Sequence, residues 1–269
     1  MILDFGSFSV GLEQKADIVF VSHAHSDHLV RKASRIIASP ETVHLAGLPD
    51  SYFSSPELRM ANAGHILGAR QLVADLDGER LVYTGDFQMK DNIITKAAEV
   101  VECDTLLLDG TYKNLDAKFP DPFEVYDEMV KWINQNQNSS IIIGANAVGK
   151  AQEIIMALNE AGIEPVVSSY VSRFTEKYRE LGINLRTSKI EEVGKDFVAI
   201  TRLHSSTKQF AFSLSQLYGK KFISAIATGL AARFEFPAHR CFLLSNHADK
   251  EGIEDYINRS GAKRVEFFC

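Results

Sequence analysis

Ile18-Val19-Phe20-Val21-Ser22-His23-Ala24-His25-Ser26-Asp27-His28 is the stretch that decides the fold. Ile18 to Val21 is β-branched and aromatic, so it reads as a short buried strand. The histidines follow it, on a loop leaving a strand end, where a rigid scaffold can present them. Three imidazoles and one carboxylate within six residues is dense metal chemistry. Those ligand types suit zinc and its borderline neighbours, and no thiolate lies nearby to suggest a closed Cys-rich structural site. His23 and His25 share one side of an extended segment, so both can reach one ion. Asp27 and His28 follow as the loop turns and can reach a second ion beside it. The competing reading is a polar loop with unrelated histidines. It requires three of the chain's eight histidines to fall in six positions by accident.

Outward from this loop, the same pattern of strand followed by acid recurs. Ile2-Leu3-Asp4-Phe5-Gly6 reads as a short strand ending at Asp4. Arg70 to Thr84 reads as a hairpin turning at Asp77-Gly78, and its second strand runs into Gly85-Asp86-Phe87. Thr105-Leu106-Leu107-Leu108-Asp109-Gly110 is another strand ending in an acid. Asp4 and Asp109 alone are ordinary turn residues before glycine, and Asp86 stands beside one. Together they predict strand ends converging on one site. In Asn62-Ala63-Gly64-His65-Ile66-Leu67-Gly68-Ala69 the glycines let the backbone turn sharply around His65. His44 is isolated and reads as structural. Leu29 to Ala38 reads as a short helix leading into a strand, with Arg31, Lys32 and Arg35 forming a small basic face beside the metal loop.

Composition sets bounds. The chain has 269 residues, 45% hydrophobic and 24% charged, as expected of a soluble globular protein of one or two domains. No apolar run approaches the ~18 residues of a membrane span, and the start has no signal-peptide core. Three widely spaced cysteines (Cys103, Cys241, Cys269) argue against a disulfide framework and for a cytoplasmic setting. A net charge of −6 gives no general encouragement to nucleic-acid binding. A local field from two ions and a few arginines can still dominate a cleft.

The second half alternates strand and helix. Pro120-Asp121-Pro122 sets two rigid breaks. Helix is expected from Phe123 to Asn134, strand at Ser140 to Ile143, helix at Gly149 to Ala161, strand at Pro165 to Val167 and helix at Tyr170 to Leu181, an α/β layer of its own. Gly144 to Lys150 fits a phosphate-loop spacing, but Ala151 stands where magnesium needs Ser or Thr, so nucleotide hydrolysis is rejected.

His23-x-His25-x-Asp27-His28 resembles the metallo-β-lactamase superfamily. With His65 in Ala63-Gly64-His65-Ile66-Leu67-Gly68-Ala69, Asp109 in Leu106-Leu107-Leu108-Asp109-Gly110-Thr111-Tyr112, the long insertion, and His247 in Ser245-Asn246-His247-Ala248-Asp249, it resembles the β-CASP nucleases, which include archaeal messenger-RNA 3′-end processing and exonuclease-like members. The resemblance implies a metallo-β-lactamase αββα sandwich (residues 1–113 and 238–269) with a short inserted α/β β-CASP domain (residues 114–237). It implies two zinc ions, with manganese as a substitute. His23, His25 and His65 would hold one and Asp27 and His28 the other. Asp86 would bridge them, and Asp4 would support the histidine loop. Cys269 occupies the place of the family's last ligating histidine, and a thiolate can ligate zinc. Asp27, Asp109 and His247 would carry catalysis. The metals would bind a phosphate oxygen and supply hydroxide, while Asp109 and His247 act on the leaving group. The implied partner is RNA or single-stranded DNA, with no membrane and an oligomeric state left open, a homodimer included. Two alternatives remain: a small ester or thioester hydrolase of the same superfamily, and an inactive RNA-binding subunit. His204 and His239 are rival ligands.

Overall fold

The computed structural model describes every residue except Arg31, Lys32, Asp50, Ser51, Lys195 and Cys269. The chain divides into two compact units. The first comprises Met1–Asp91, Thr95–Lys118 and Asn246–Cys269, the second Asn92–Ile94 and Phe119–Ser245.

The first unit opens with β1 (Ile2–Asp4), β2 (Ser9–Leu12), β3 (Ile18–Phe20) and β4 (Arg35–Ile37), which form a sheet in that order. β1 and β2 are an antiparallel hairpin, whereas β2, β3 and β4 run parallel. Helix α1 (Pro40–Ala46) starts where Ser39 Oγ accepts the Thr42 N–H and Pro40 takes the first helical position; it ends at Gly47 in the left-handed region. Then come β5 (Leu58–Asn62), β6 (Arg70–Leu76), β7 (Glu79–Tyr83) and β8 (Thr105–Asp109). Asp77 and Gly78 both have positive φ, 51° and 82°, the twist that a two-residue hairpin loop between β6 and β7 requires. β7 and β8 pair in parallel, so their carboxyl ends emerge together.

The second unit holds α2 (Pro122–Asn134), β9 (Ser140–Ala145), α3 (Lys150–Glu160), β10 (Val166–Val167), α4 (Ser169–Glu180), β11 (Val198–Arg202), α5 (Lys208–Tyr218), β12 (Phe222–Ala227) and β13 (Arg240–Phe242). Helical crossovers let neighbouring strands run parallel, and all five do, in the order β10-β11-β9-β12-β13. β9 and β12 are buried throughout, which is why they read as near-continuous apolar runs. The chain then returns to the first unit with α6 (Lys250–Ser260) and β14 (Arg264–Phe268). β14 pairs in parallel with β8 and completes the second sheet, β14-β8-β7-β6-β5.

One core cluster joins the two sheets of the first unit: Leu3, Phe20 and Ile37 from one, Leu72, Tyr83 and Leu107 from the other. Phe20 is fully buried there, which stabilises the seam by about 1.5–3 kcal/mol. Val19 and Ile36 point the other way and pack with Val43 of α1. Tyr256 of α6 packs 5.4 Å from the Phe87 ring and donates its hydroxyl to Gln71 of β6 at 2.6 Å. The layers are therefore helix, sheet, sheet, helix, the metallo-β-lactamase-type α/β sandwich. No helix among the described residues is long and apolar enough to cross a membrane.

The expected helix between Leu29 and Ala38 does not form among the described residues of that stretch. Ile36 and Ile37 are β-branched and enter β4 beside β3, and the helix comes one step later as α1. Arg31 and Lys32 lie outside the described residues. The Arg35 guanidinium lies 4.9 Å over the Phe53 ring.

Candidate metal centre

The site forms at the carboxyl ends of β3, β7 and β8, the end of a parallel arrangement where ligands gather. After β3 the chain is pinned by the Arg70 N–H donating to Ser22 O at 2.9 Å, and a 3-10 turn over Ser26–His28 swings His28 back. His23 Nε2 lies 3.1 Å from His25 Nδ1, which lies 3.2 Å from His65 Nε2. Asp86 Oδ2 is 3.5 Å from His23 Nε2, 3.6 Å from His65 Nε2 and 3.5 Å from His28 Nε2. One carboxylate oxygen thus faces two groups of imidazoles. Gly85, at φ 54°, makes this possible: a Cβ there would sit 2.5 Å from Ser22 Cβ.

The hydrogen bonds around the rings fix where their protons lie. His65 Nδ1 meets the Asn246 carbonyl at 2.8 Å and must donate to it, which leaves a lone pair on Nε2. His28 Nδ1 meets Glu13 Oε2 at 2.6 Å and donates likewise, which aims Nε2 at Asp86. Ser22 Oγ holds His23 Nδ1 at 2.8 Å. One proton on His25 Nδ1 cannot serve His23, His65 and Asp86 together, whereas a cation can accept all their lone pairs. Burial and the surrounding imidazoles hold His23 well below its usual pKa, which favours the neutral ring. Burial, opposed in part by His247, pushes Asp86 up to about 6. Burial opposes charge on His28 too, but the Glu13 hydrogen bond and charge outweigh it and raise this imidazole to about 9. The four groups His23, His25, His65 and Asp86 offer ligand atoms within 4.8 Å of one another, so the donor set fits a divalent metal.

On the other flank, His247 Nδ1 donates to Asp109 Oδ2 at 2.8 Å. The Thr111 N–H and hydroxyl hold Asp109 Oδ1 at 2.9 and 2.6 Å. Burial pushes Asp109 up, but these contacts, His247 first, win and hold it below the usual carboxylate range. His247 Nε2 points inward, 3.8 Å from Asp86 Oδ2. A recess of about 470 Å³ opens beside His28 and Asp27, walled by Leu12, Tyr83 and Phe268.

The structure thus brings together His23, His25, His28, His65, Asp86, Asp109 and His247. Asp27 is at the edge: its Oδ2 is 3.8 Å from His28 Nε2 and its side chain is 79% exposed. Cys269 lies outside the described residues. His204 and His239 belong to the second unit, where His239 Nδ1 accepts the Ser224 N–H at 3.0 Å. Asp4 is not part of the site; its Oδ1 accepts the Gly6 N–H at 2.9 Å in an exposed turn. The hairpin explains why. Asp4 pairs with Ser9 at the start of β2, so the carboxyl end of β2, where the site lies, is about 10 Å away. Glu13, just past that end, takes the supporting place. Its carboxylate accepts from His28, from Tyr83 Oη at 2.7 Å, from the Ser22 N–H at 3.0 Å and from the Ser22 hydroxyl. It holds φ 50°, a left-handed conformation unusual outside glycine and found at constrained sites. The rule of strand followed by acid applied to Leu12-Glu13 as well as to Asp4.

No family model matches the chain. It is 22% identical over 269 residues to a probable DNA ligase of Opitutus terrae, covering 91% of this chain and 26% of that protein. It is 30% identical over 108 residues to an RNase J-like protein of Methanocaldococcus jannaschii, covering 38% of this chain and 25% of that protein. The chain therefore spans about a quarter of the length of these curated relatives. A crystal structure of a protein of unknown function from Enterococcus faecalis V583 matches with a TM-score of 0.61 over 93% of this chain and 75% of that one, at 13% identity, a likeness of fold alone. Fold and site define an α/β protein of metallo-β-lactamase type. Among its curated relatives are β-CASP nucleases, the RNase J-like protein one of them, the group that its motifs resemble.

Proposed function

We propose that the chain is a zinc-dependent phosphodiesterase that cleaves RNA or single-stranded DNA at a dinuclear site in the first unit. The first unit serves as the metallo-β-lactamase part and the second as the β-CASP insertion. The observation that carries this is the shared Asp86 oxygen facing two sets of imidazole nitrogens, with the His247–Asp109 pair beside it. His23, His25, His65 and Asp86 would hold one ion; His28, Asp27 and the same Asp86 oxygen would hold the other. Bound there, two divalent cations supply Lewis acidity toward phosphate and a nucleophile from water at neutral pH.

The protein's own groups do the rest. As an imidazolium, His247 can give its Nε2 proton to the departing sugar oxygen. Asp109, kept ionised by His247 and Thr111, stabilises that charged form and fixes the ring through Nδ1. Such an acid contributes roughly 10²–10⁴ in rate. A hydrolase of small esters has less use for it, because an alkoxide leaving from phosphorus needs a proton more than one leaving from an activated ester.

The relative named an RNase J-like protein favours RNA. DNA is favoured by a different observation: nearly all of this chain aligns with a quarter of a protein named a probable DNA ligase. The test is cleavage of end-labelled single-stranded RNA and DNA by zinc- or manganese-loaded protein, with Asp86→Ala alongside. Cleavage lost in the variant supports the reading, and the ladder reports substrate and direction. A metal-loaded protein that cuts neither strand overturns it.

A further inference from the structure

Eight of the twelve described arginines make an ion pair with a carboxylate. The other four are Arg35, Arg173, Arg202 and Arg233, and the last three all lie in the second unit at one edge of its sheet. Arg202 ends β11, and its guanidinium lies 5.0 Å over the Tyr170 ring. Tyr170 stands in the first turn of α4, directly after β10. Arg173, one turn on, lies 5.4 Å over the same ring and 4.9 Å over Phe174. Arg233 follows the 3-10 turn after β12 and lies 5.4 Å over Phe234. Tyr170 is 43% exposed and Phe234 53%.

The topology brings the strand ends that lead into these groups to one edge. All five strands run parallel, so the connections leaving β10, β11 and β12 share the carboxyl edge. Arg202 is level with Ala145 of β9, whose neighbour Gly144 is level with Ile226 of β12. The ends of β11 and β12 are therefore two strand spacings apart, about 10 Å. The chain leaves β9 toward β10 on one side and leaves β12 toward β13 on the other. Between those departures lies the reversal point at which parallel sheets take ligands. A guanidinium stacked on an exposed ring, with no carboxylate to neutralise it, offers charge to a phosphate and a π-face to a base. In a chain of net charge −6, three such arginines on one edge make a local attraction for a polyanion.

We propose that this edge is a binding track for single-stranded nucleic acid. Arg173, Arg202 and Arg233 take backbone phosphates, and Tyr170 and Phe234 stack bases. The proposal rests on the nuclease reading and names residues of the second unit that hold the strand.

The test is fluorescence anisotropy of metal-loaded, full-length protein with cleavage-resistant phosphorothioate thymidine and uridine oligomers of about 20 nucleotides, across a salt series. Three single-strand phosphate contacts contribute roughly 0.7 each to the salt slope. Arg173→Ala, Arg202→Ala and Arg233→Ala combined should lower the slope by about 2 and weaken binding at least tenfold at about 0.1 M salt. Tyr170→Ala should weaken binding roughly tenfold with little change in slope. A charge-matched control, Arg59→Ala, Arg80→Ala and Arg240→Ala, removes three exposed ion-paired arginines and should bind as the wild type does. Equal losses in control and track variants would reduce the effect to net charge and overturn the proposal. Wild-type affinity in the track variant, with its melting temperature and metal content intact, would overturn it too, as would a wild type that ignores single strands. Wild-type hydrolysis of bis(p-nitrophenyl) phosphate reports the metal centre separately. Hydrolysis alongside unaltered binding in the track variant sinks the track alone; a wild type that neither hydrolyses it nor cuts any strand sinks the nuclease reading.

Discussion

Glu13→Gln should weaken the second metal position and spare the first. The Glu13 carboxylate has four acceptor sites, and four donors fill them: the Ser22 N–H and hydroxyl on Oε1, and the Tyr83 hydroxyl and His28 Nδ1 on Oε2. Glu13, His23 and His28 do offer ligand atoms within 4.8 Å, but a carboxylate so occupied has no lone pair to give an ion. It acts by aiming His28. Glutamine keeps the length and the same φ of 50°, so backbone strain does not change. The Ser22 N–H is fixed, so the remaining oxygen must stay on Ser22 and the amide nitrogen must face His28 and Tyr83. The Tyr83 hydroxyl can rotate to accept. His28 can accept only with its one remaining proton on Nε2, the atom that faces Asp86 at 3.5 Å. A protonated Nε2 cannot ligate. To bind metal the ring must give up the Glu13 hydrogen bond, a charge-assisted one worth about 1.5–3 kcal/mol. At 1.4 kcal/mol per decade that is roughly a ten- to hundredfold loss of affinity, the range seen for partners of ligating histidines. Zinc competition against a chromophoric chelator, with metal content after desalting, measures it. His23 keeps its Ser22 contact, so the first ion should bind within about twofold of wild type. Two ions bound with wild-type affinity, or equal weakening of both, would refute the reasoning. At neutral pH, long-range ¹⁵N NMR of the metal-free protein should show His28 protonated on both nitrogens in the wild type and on Nε2 alone in the variant.

Three further expectations follow from other contacts. His247→Ala and Asp109→Asn should each keep full metal content and lose about 10²–10⁴ in turnover; loss of one metal equivalent in His247→Ala would instead make its Nε2, 3.8 Å from Asp86, a ligand. Gly85→Ala sets a Cβ 2.5 Å from Ser22 Cβ at a φ of 54°, adding roughly 1–2 kcal/mol of left-handed strain and about 1–3 kcal/mol of overpacking. Its melting temperature and zinc content should both fall, and wild-type zinc content would detach Ser22 from His23. Burial lowers Lys150 from 10.5 to about 8. The folded state therefore binds fewer protons than the unfolded chain between those values, so stability should rise with pH from about 8 to about 10.5, by at most on the order of 3 kcal/mol. Between about pH 8 and 10 the wild-type urea midpoint should climb relative to that of Lys150→Met; parallel curves would remove Lys150 as a source.

What the sequence made legible follows from how local each signal is. The candidate ligands from His23 to His28 fall within six residues of one loop, so the closeness of the three histidines needs no knowledge of topology. Asp86 and Asp109 stand at the ends of well-marked strands, and the parallel pairing of β7 and β8 brings both to the same edge. His247 was readable only through its resemblance, because nothing within its own neighbourhood announces that Asp109, 138 residues away, is its partner. The misreading of Asp4 has the same origin. Asp4 and Glu13 are both acids just after a strand, and only the antiparallel pairing of β1 with β2 decides which faces the histidines. The Leu29–Ala38 segment could be read by propensity either way until β3 offered β4 an edge.

The arginines of the second unit press the point further. Arg173, Arg202 and Arg233 are scattered over some sixty residues, and by sequence none differs from Arg179 or Arg240, which are spent on carboxylates. Their likeness appears only when strand order puts β11 and β12 on either side of β9 and the ion pairs are assigned one by one. A charge acquires meaning for binding from the absence of a partner as much as from its own sign, and partners are a property of the fold. The overall charge of −6, which at first argued against a polyanionic ligand, averages over residues that neutralise one another. The three arginines left over, stacked on exposed rings at the edge where a parallel sheet takes ligands, are what a passing strand would meet.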